Sequence, residues 1–289
     1  MASLRDLKRQ IESIKNIAKV TEALQTVSSV KFRKAENRVR KARPYAENVE
    51  QMMRDVARSA TGTNPLLAGR EVRRVAVATI TADRGLAGGF NAQVLRRTMR
   101  LRDELDKETV QVASGRKAAA FFRFRGVNLA ETYTGFSDSP TYEKAREIGQ
   151  ALTGLFDDEE ADEVYLVYNR FETALTQRPV VTRLLPVAQE EEEDEDGEGS
   201  DTSYFEYVPD AETVLRKLVP RYVETMVWQA LLESAAGEHG ARMTAMKNAT
   251  DNANDLASNL TLQMNKARQA QITQEILEIV GGAEALAAG

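Results

Sequence analysis

The stretch TADRGLAGGFN, residues 81–91, sets an aspartate and three glycines between an apolar run and a helical pattern. Nucleotide enzymes cradle a phosphate with such a turn, using free backbone N–H groups and the positive end of a helix. The spacing does not match either fingerprint, however. A dinucleotide turn needs G-x-G-x-x-G and a phosphate loop needs G-x-x-x-x-G-K-[ST], whereas here Gly85, Gly88 and Gly89 are followed by no lysine. The glycines read as architecture, permitting a tight turn and close helix packing, with Asp83 near the start of the next helix. Weak anion binding at that helix N-terminus stays open.

Other chemistry is scarce. There is no cysteine, which removes disulfides, thiolate metal sites and cysteine nucleophiles. His239 is the single histidine, so a multi-histidine metal centre is excluded, and it reads as a helix-surface residue rather than a catalytic base. Asp251 and Asp255 share a helix face at i, i+4, which reads as a solvated or partner-facing stripe rather than an acid/base pair. No catalytic constellation emerges, and no cofactor or metal is expected.

The elements that carry these residues differ sharply along the chain. The first 58 residues contain Pro44 and no glycine, the condition for one extended helix. Leu4, Leu7, Ile11, Ile14, Ala18, Thr21, Gln25, Ser28, Phe32, Ala35, Val39, Ala42, Ala46, Val49, Met53 and Val56 form a heptad seam spanning roughly 80 Å at helical rise. Thr21, Gln25 and Ser28 interrupt its apolar character. Ile17, Val20, Leu24 and Val27 then suggest a change of phase, as in a coiled-coil stutter.

The C-terminal segment from Pro209 onward repeats the long helical pattern, with Pro220 expected as a kink and Gly237 and Gly240 as weak points. Residues 241–274 are rich in Ala, Asn, Thr and Gln, without aromatic, Gly or Pro. Asn and Thr are mediocre helix formers, so this helix needs a partner, and its small seam residues let one approach closely. The N-terminal helix, running antiparallel, is the expected support.

Between the helices the pattern alternates. Strands are predicted at 72–80, 109–114, 127–133 and 163–171, helices at 90–107, 116–125 and 140–156, and a further edge strand before Pro186. The predicted organisation is thus a coiled-coil helix over 1–60, a Rossmann-like α/β domain over 70–188, an acidic loop and edge segment over 189–207, and a second coiled-coil helix over 208–289. The expected fold class is α/β plus a long antiparallel coiled coil.

Charge is equally uneven. The net charge is -5, but eight acids lie in residues 190–198, and the remainder of the chain is +3. Consecutive like charges repel and resist ordering, so that run reads as a solvated loop. Residues 1–60 carry 14 Lys and Arg against 7 Asp and Glu. Residues 31–43 alone hold seven bases and one acid, which invites an acidic partner. Nucleic acid is a poor fit there, since only Phe32 and Tyr45 offer stacking surfaces. No apolar run approaches the ~20 residues of a membrane span, and the N-terminus lacks a signal-peptide core.

The residues ITQEILEIVGGAEAL at 272–286 resemble the signature of the gamma subunit of F-type ATP synthases, through Ile272, Thr273, Glu275, Glu278, Gly282, Ala283 and Ala285. ARMTAMKNATDNA, NKARQAQITQE, TADRGLAGGFN and IKNIAKVTEALQTVSSVKFRKAE are similar to the same family, nearly end to end. The resemblance implies a non-catalytic rotor shaft that couples proton flow to nucleotide sites on other subunits. Its terminal helices would lie inside a ring of three alpha and three beta subunits, with the α/β domain facing the epsilon subunit and the membrane c-ring. It implies a peripheral location at the cytoplasmic face of the inner membrane.

The same resemblance implies that Arg268 and Gln269 meet loops of the beta subunits, with Gln274 and Glu275 on the same upper shaft. It puts Leu24 and Lys31 where the shaft meets an acidic lever of beta, and Ile276, Ile279 and Val280 in the bearing around the C-terminal tip. Where relatives commonly carry methionine in the first helix, this chain has Leu24 and Thr26. The cysteine-bearing insertion of the chloroplast form is absent, so thiol control is excluded.

Overall fold

Arg74–Ile80 runs RVAVATI, and all but its first residue is buried, as expected for a strand covered on both faces. In the computed structural model this strand (β1) is the centre of a five-stranded sheet ordered β3-β2-β1-β4-β5. Residues 4–59, 69–187 and 211–287 are described. The other strands are β2 (Glu108–Ser114), β3 (Leu129–Tyr133), β4 (Glu163–Phe171) and β5 (Gln177–Leu185). β1 pairs in parallel with β2 and with β4, and β2 pairs in parallel with β3. β5 closes one edge antiparallel to β4, and Pro179 is tolerated in that edge strand.

The helices are α1 (Leu4–Ser59), α2 (Phe90–Leu105), α3 (Arg116–Phe124), α4 (Tyr142–Asp157) and α5 (Ala211–Ala287). The described chain forms two compact units, Ser28–Arg242 and Met1–Val27 with Met243–Gly289. In the larger unit, α2 and α3 cover one sheet face through Val94, Leu95, Leu101, Ala118 and Phe122. The opposite face packs on α4 and on parts of α1 and α5, through Met53, Ile148, Leu152, Leu215 and Val223. At about 25 cal/mol per Å² of buried apolar surface, this two-sided core is what holds the unit together.

Expected and observed strands agree within two residues, which supports the α/β reading of the middle. The acidic run and the edge segment of 189–207 lie outside the described residues.

Two expectations for the long helices need correction. α5 runs continuously through Pro220, Gly237 and Gly240. The two glycines are points of closest packing rather than weak points. A Cβ at Gly240 would meet the carbonyl oxygen of Ala174 at 2.9 Å and Phe32 at 3.4 Å, and one at Gly237 would meet Phe90 at 3.0 Å. The second correction concerns the phase shift in α1, which does not occur.

In the smaller unit, Leu7, Ile11 and Ala18 are buried, and the seam continues through Thr21 while Ile17 and Val20 are exposed. Val27 is likewise exposed at 53%. Thr21 holds the seam by hydrogen bonding: its Oγ1 lies 2.7 Å from Thr250 Oγ1 and donates to or shares the carbonyls of Ile17 and Ala18. Two hydroxyls that satisfy each other cost less at a helix interface than unpaired polar groups, so hydropathy alone misplaced the turn. Met246, Ala253 and Ala257 are the buried seam residues of α5 in this unit, and the small size of the two alanines fits the close approach expected from composition.

Candidate functional site

The glycine turn is the first place to look for a ligand. In open α/β sheets, ligands bind at the carboxyl ends of the strands, where strand order reverses. Here strand order reverses between β1 and β4, while the space over the ends of β1, β2 and β3, beside the turn, is filled by the protein itself. Asp83 accepts hydrogen bonds from the backbone N–H of Arg116 (3.0 Å), Gly135 (2.9 Å) and Ser137 (3.0 Å). Arg116 opens α3, so the carboxylate occupies the anion position of a helix N-terminus. Burial opposes its ionisation, but the three amides outweigh burial and hold the Asp83 pKa below the ordinary carboxylate value.

Asp83 therefore serves α3, not the start of α2 as its position in the sequence suggests. The α2 start is organised by Asn91, whose Oδ1 accepts from Ala82 N at 2.9 Å. Among the three glycines of the turn, Gly88 has a positive φ of 54°, while Gly85 and Gly89 have ordinary room for a Cβ. The close approach falls on Gly115, which the turn motif does not include. Its φ is +96°, and a Cβ there would lie 2.2 Å from the Thr81 carbonyl oxygen.

Leu231, Ser234 and Glu238 of α5 close the crevice from above, leaving a cavity of about 10 Å³. That is room for about one water and for no nucleotide.

His239 is not on a helix surface. It is 1% exposed, and its Nε2 lies 3.2 Å from the carbonyl oxygen of Asp138. A carbonyl only accepts, so Nε2 carries the proton, and burial holds the imidazole pKa below its usual value. Its neighbour Glu238 is paired with Arg242, whose guanidinium also donates to the Gly85 carbonyl. Asp251 and Asp255 are exposed, and no group of metal-ligating side chains occurs among the described residues.

The basic segment of α1 is partly consumed internally. Lys31 pairs with Asp138, Arg38 donates to the Pro140 carbonyl and stacks over Trp228, and Arg43 reaches the Phe171 carbonyl and buried Glu233. Arg33, Lys34 and Lys41 remain exposed. Leu24 is half-buried.

The remaining candidates lie together near the end of α5. With Thr21 opposite Thr250 in an antiparallel pair, Leu4 at the start of α1 falls opposite Ala267. From the next residue onward the helix is exposed, and that stretch begins with Arg268 and Gln269. Gln274 donates to Glu278 at 3.0 Å and Gln271 to Glu275 at 2.9 Å, ordinary i, i+4 contacts along a solvated helix. Ile272, Ile276, Leu277, Ile279 and Val280 are 48%, 54%, 66%, 72% and 49% exposed. Single exposed apolar residues need no explanation, but five within nine residues form a surface that asks for a cover.

A five-stranded Rossmann-like sheet, preceded and followed in the chain by two long helices, the second with an exposed apolar stretch at 272–280, is the architecture that defines the class of this chain. The chain matches the ATP synthase family over residues 3–286. It is 70% identical to the ATP synthase gamma chain of Rubrobacter xylanophilus, with full coverage of both chains. It is 49% identical to that of Pelotomaculum thermopropionicum, covering 99% of this chain and all of the relative.

Among solved structures, a chain of Euglena gracilis mitochondrial ATP synthase superposes with a TM-score of 0.68 at 20% identity, covering 99% of this chain and 95% of its own. A chain of the Tetrahymena thermophila central stalk and c-ring superposes with a TM-score of 0.61 at 23% identity, covering 80% and 99%. The chain belongs to the ATP synthase gamma chain family.

Proposed function

We propose that the chain is the central rotor shaft of an F-type ATP synthase and carries no catalytic site of its own. It would couple ion flow through a membrane c-ring to nucleotide chemistry on a ring of three alpha and three beta subunits, regulating ATPase activity and proton flow. The observation that carries this reading is the end of α5. From residue 268 to residue 283 every residue is exposed, and the helix presents apolar side chains that water disfavours.

In this reading Ile276, Ile279 and Val280 seat the tip in an apolar bearing. Arg268, Gln269, Gln274 and Glu275 offer polar groups to the beta subunits, with Leu24 and Lys31 meeting them lower on the shaft. The α/β unit faces the epsilon subunit and the c-ring. The domain division proposed from the sequence, with helices over 1–60 and 208–289 around 70–188, goes with these roles.

No described helix is long and apolar enough to cross a membrane, so attachment to the cytoplasmic face of the inner membrane would run through the partner subunits. The filled crevice beside Asp83 supports the absence of nucleotide chemistry in this chain.

Co-purification and turnover test the proposal together. Expression with alpha and beta subunits yields a complex containing one copy of this chain per three of each, active in ATP hydrolysis, while the isolated chain shows no turnover. Hydrolysis by the isolated chain, or failure to enter the complex, overturns it.

A further inference from the structure

His239 lines a cationic cavity, and one of its ring nitrogens is buried without a hydrogen-bond partner. Lys31, Lys34 and Arg38, at i, i+3 and i+7 on α1, line a cavity of about 210 Å³ together with Asp138, Ser139 and His239. Every one of these residues belongs to the larger unit. Asp138 neutralises Lys31, and Arg38 is committed to the Pro140 carbonyl (2.6 Å) with Ser139 Oγ at 3.5 Å. Lys34 makes no ion pair or hydrogen bond among the described residues and is exposed. The cavity therefore keeps excess positive charge. The His239 side chain in its wall is 2% exposed, and its Nδ1 is buried without a partner, the kind of orphan that folded proteins rarely leave.

We propose that this cavity binds a small polyvalent oxyanion of the phosphate or sulfate type, held by Lys34 and Arg38 at its rim and by His239 Nδ1 in its wall. The volume exceeds what one water fills and suits a tetrahedral oxyanion with part of its hydration shell. The neutral imidazole uses Nε2–H on the Asp138 carbonyl and presents only a lone pair at Nδ1. An imidazolium keeps that bond and donates a second, charge-assisted one to an anion oxygen.

Binding is thus linked to uptake of a proton at His239. The charged groups facing it are Asp138 from the loop before α4, Lys31 and Lys34 from α1, and Glu238 and Arg242 on α5. The two carboxylates favour the imidazolium. Burial and the cations oppose it until the anion arrives.

Because His239 is the only histidine, its imidazole signals in the full-length chain are unambiguous. The test is a titration of histidine-labelled protein with inorganic phosphate at fixed pH and ionic strength, with chloride making up the balance, repeated with sulfate. The expected result is a saturable shift of the His239 nitrogens toward the imidazolium values, tighter at pH 6 than at pH 8 for sulfate, which does not itself titrate there.

Lys34→Gln weakens the apparent affinity about tenfold, the effect of losing one charge-assisted contact. Lys41→Gln, on the same helix and outside the cavity lining, leaves it unchanged. Thermal unfolding gives a second readout, in which phosphate raises the midpoint of the wild-type chain and not of Lys34→Gln. A His239 shift that chloride reproduces, or equal affinities for the wild type and Lys34→Gln, overturns the proposal. Neither outcome bears on the shaft role.

Discussion

The α/β part of the molecule and the last turns of α5 handle apolar surface in opposite ways. The apolar residues of β1 and β4 are buried against the layers, and a buried polar side chain such as Gln111 in β2 is answered by donating to the Val77 and Val112 carbonyls and to Thr79. In residues 272–280 five Ile, Leu and Val side chains stand about half exposed or more. The first region buries its apolar surface within the chain, so its residues answer to folding. The second leaves its apolar surface exposed, and in the proposed complex its residues answer to assembly.

That contrast predicts where each kind of substitution does its damage. The largest expected effect is functional. Arg268→Ala with Gln269→Ala removes polar groups that in the proposed complex are desolvated against a beta subunit, and losing such a contact costs about 2 to 5 kcal/mol. The expected outcome is a normally assembled complex whose steady-state ATP hydrolysis and synthesis fall at least tenfold, with the stability of the free chain unchanged. Unchanged turnover would break the comparison at its functional end, and failed assembly would move these two residues to the structural side.

Next comes a pair of identical changes in the two regions. Gly115→Ala drives a Cβ into the Thr81 carbonyl at a positive φ and is expected to cost about 3 kcal/mol or more in chemical denaturation. Gly281→Ala, on the exposed helix with open space around it, gains up to about 1 kcal/mol in local helix stability. Similar effects at both sites would mean that the end of α5 is packed after all.

Asp162 sharpens the folding side. Its carboxylate accepts from Arg73 N and Arg74 N at 2.8 and 2.9 Å and from the Arg70 guanidinium, and it is 9% exposed. Burial raises its pKa, but these donors outweigh burial and leave it below the ordinary value. Asp162→Asn is expected to cost about 2 kcal/mol near neutral pH. With a folded pKa below the unfolded one, the wild-type contribution is whole above about pH 5. It fades as pH falls below about 4, so urea midpoints of wild type and variant should converge in acid.

The smallest effect concerns the helix seam. Thr21→Val alone removes the cross-helix partner of the Thr250 hydroxyl, which keeps only the Met246 carbonyl of its own helix, and is expected to cost about 1 kcal/mol, whereas Thr21→Val with Thr250→Val is expected within about 0.5 kcal/mol of wild type. Thermal melts of the four proteins measure the coupling. A double variant worse than the sum of the singles would show that the hydroxyl pair specifies the register.

Much of this architecture is legible in residue order. β4 coincides with its expected range, β1 begins two residues late, and the heptad seam identifies Leu7, Ile11, Val39 and Met53 as buried. The exceptions share a cause. Ile17, Val20 and Val27 are apolar yet exposed, while Thr21 holds the seam and Ser28 is buried in it, because a seam follows helix geometry and accepts polar residues that find partners. Hydropathy measures preference for water and carries no information on which hydroxyl meets which. Of the candidate partner contacts, the adjacency of Arg268 and Gln269 to the apolar tip is plain from the motif. Their exposure on α5, past the last buried seam residue Ala257, required the tertiary structure.

By itself the sequence determined what depends on neighbours a few residues apart: helix and strand periods, the absence of thiol and multi-histidine chemistry, and a family signature spread over the whole length. Tertiary structure decided what depends on residues far apart. Asp83 reaches 33 positions forward to cap α3, which closes the apparent phosphate site from within. His239, polar and flanked by glycine and glutamate, is buried because the Asp138 segment, 101 positions away, packs over it. The physical reason is that burial is a property of the space around a side chain. Distant segments fill that space, and no local window of residues records which of them will arrive.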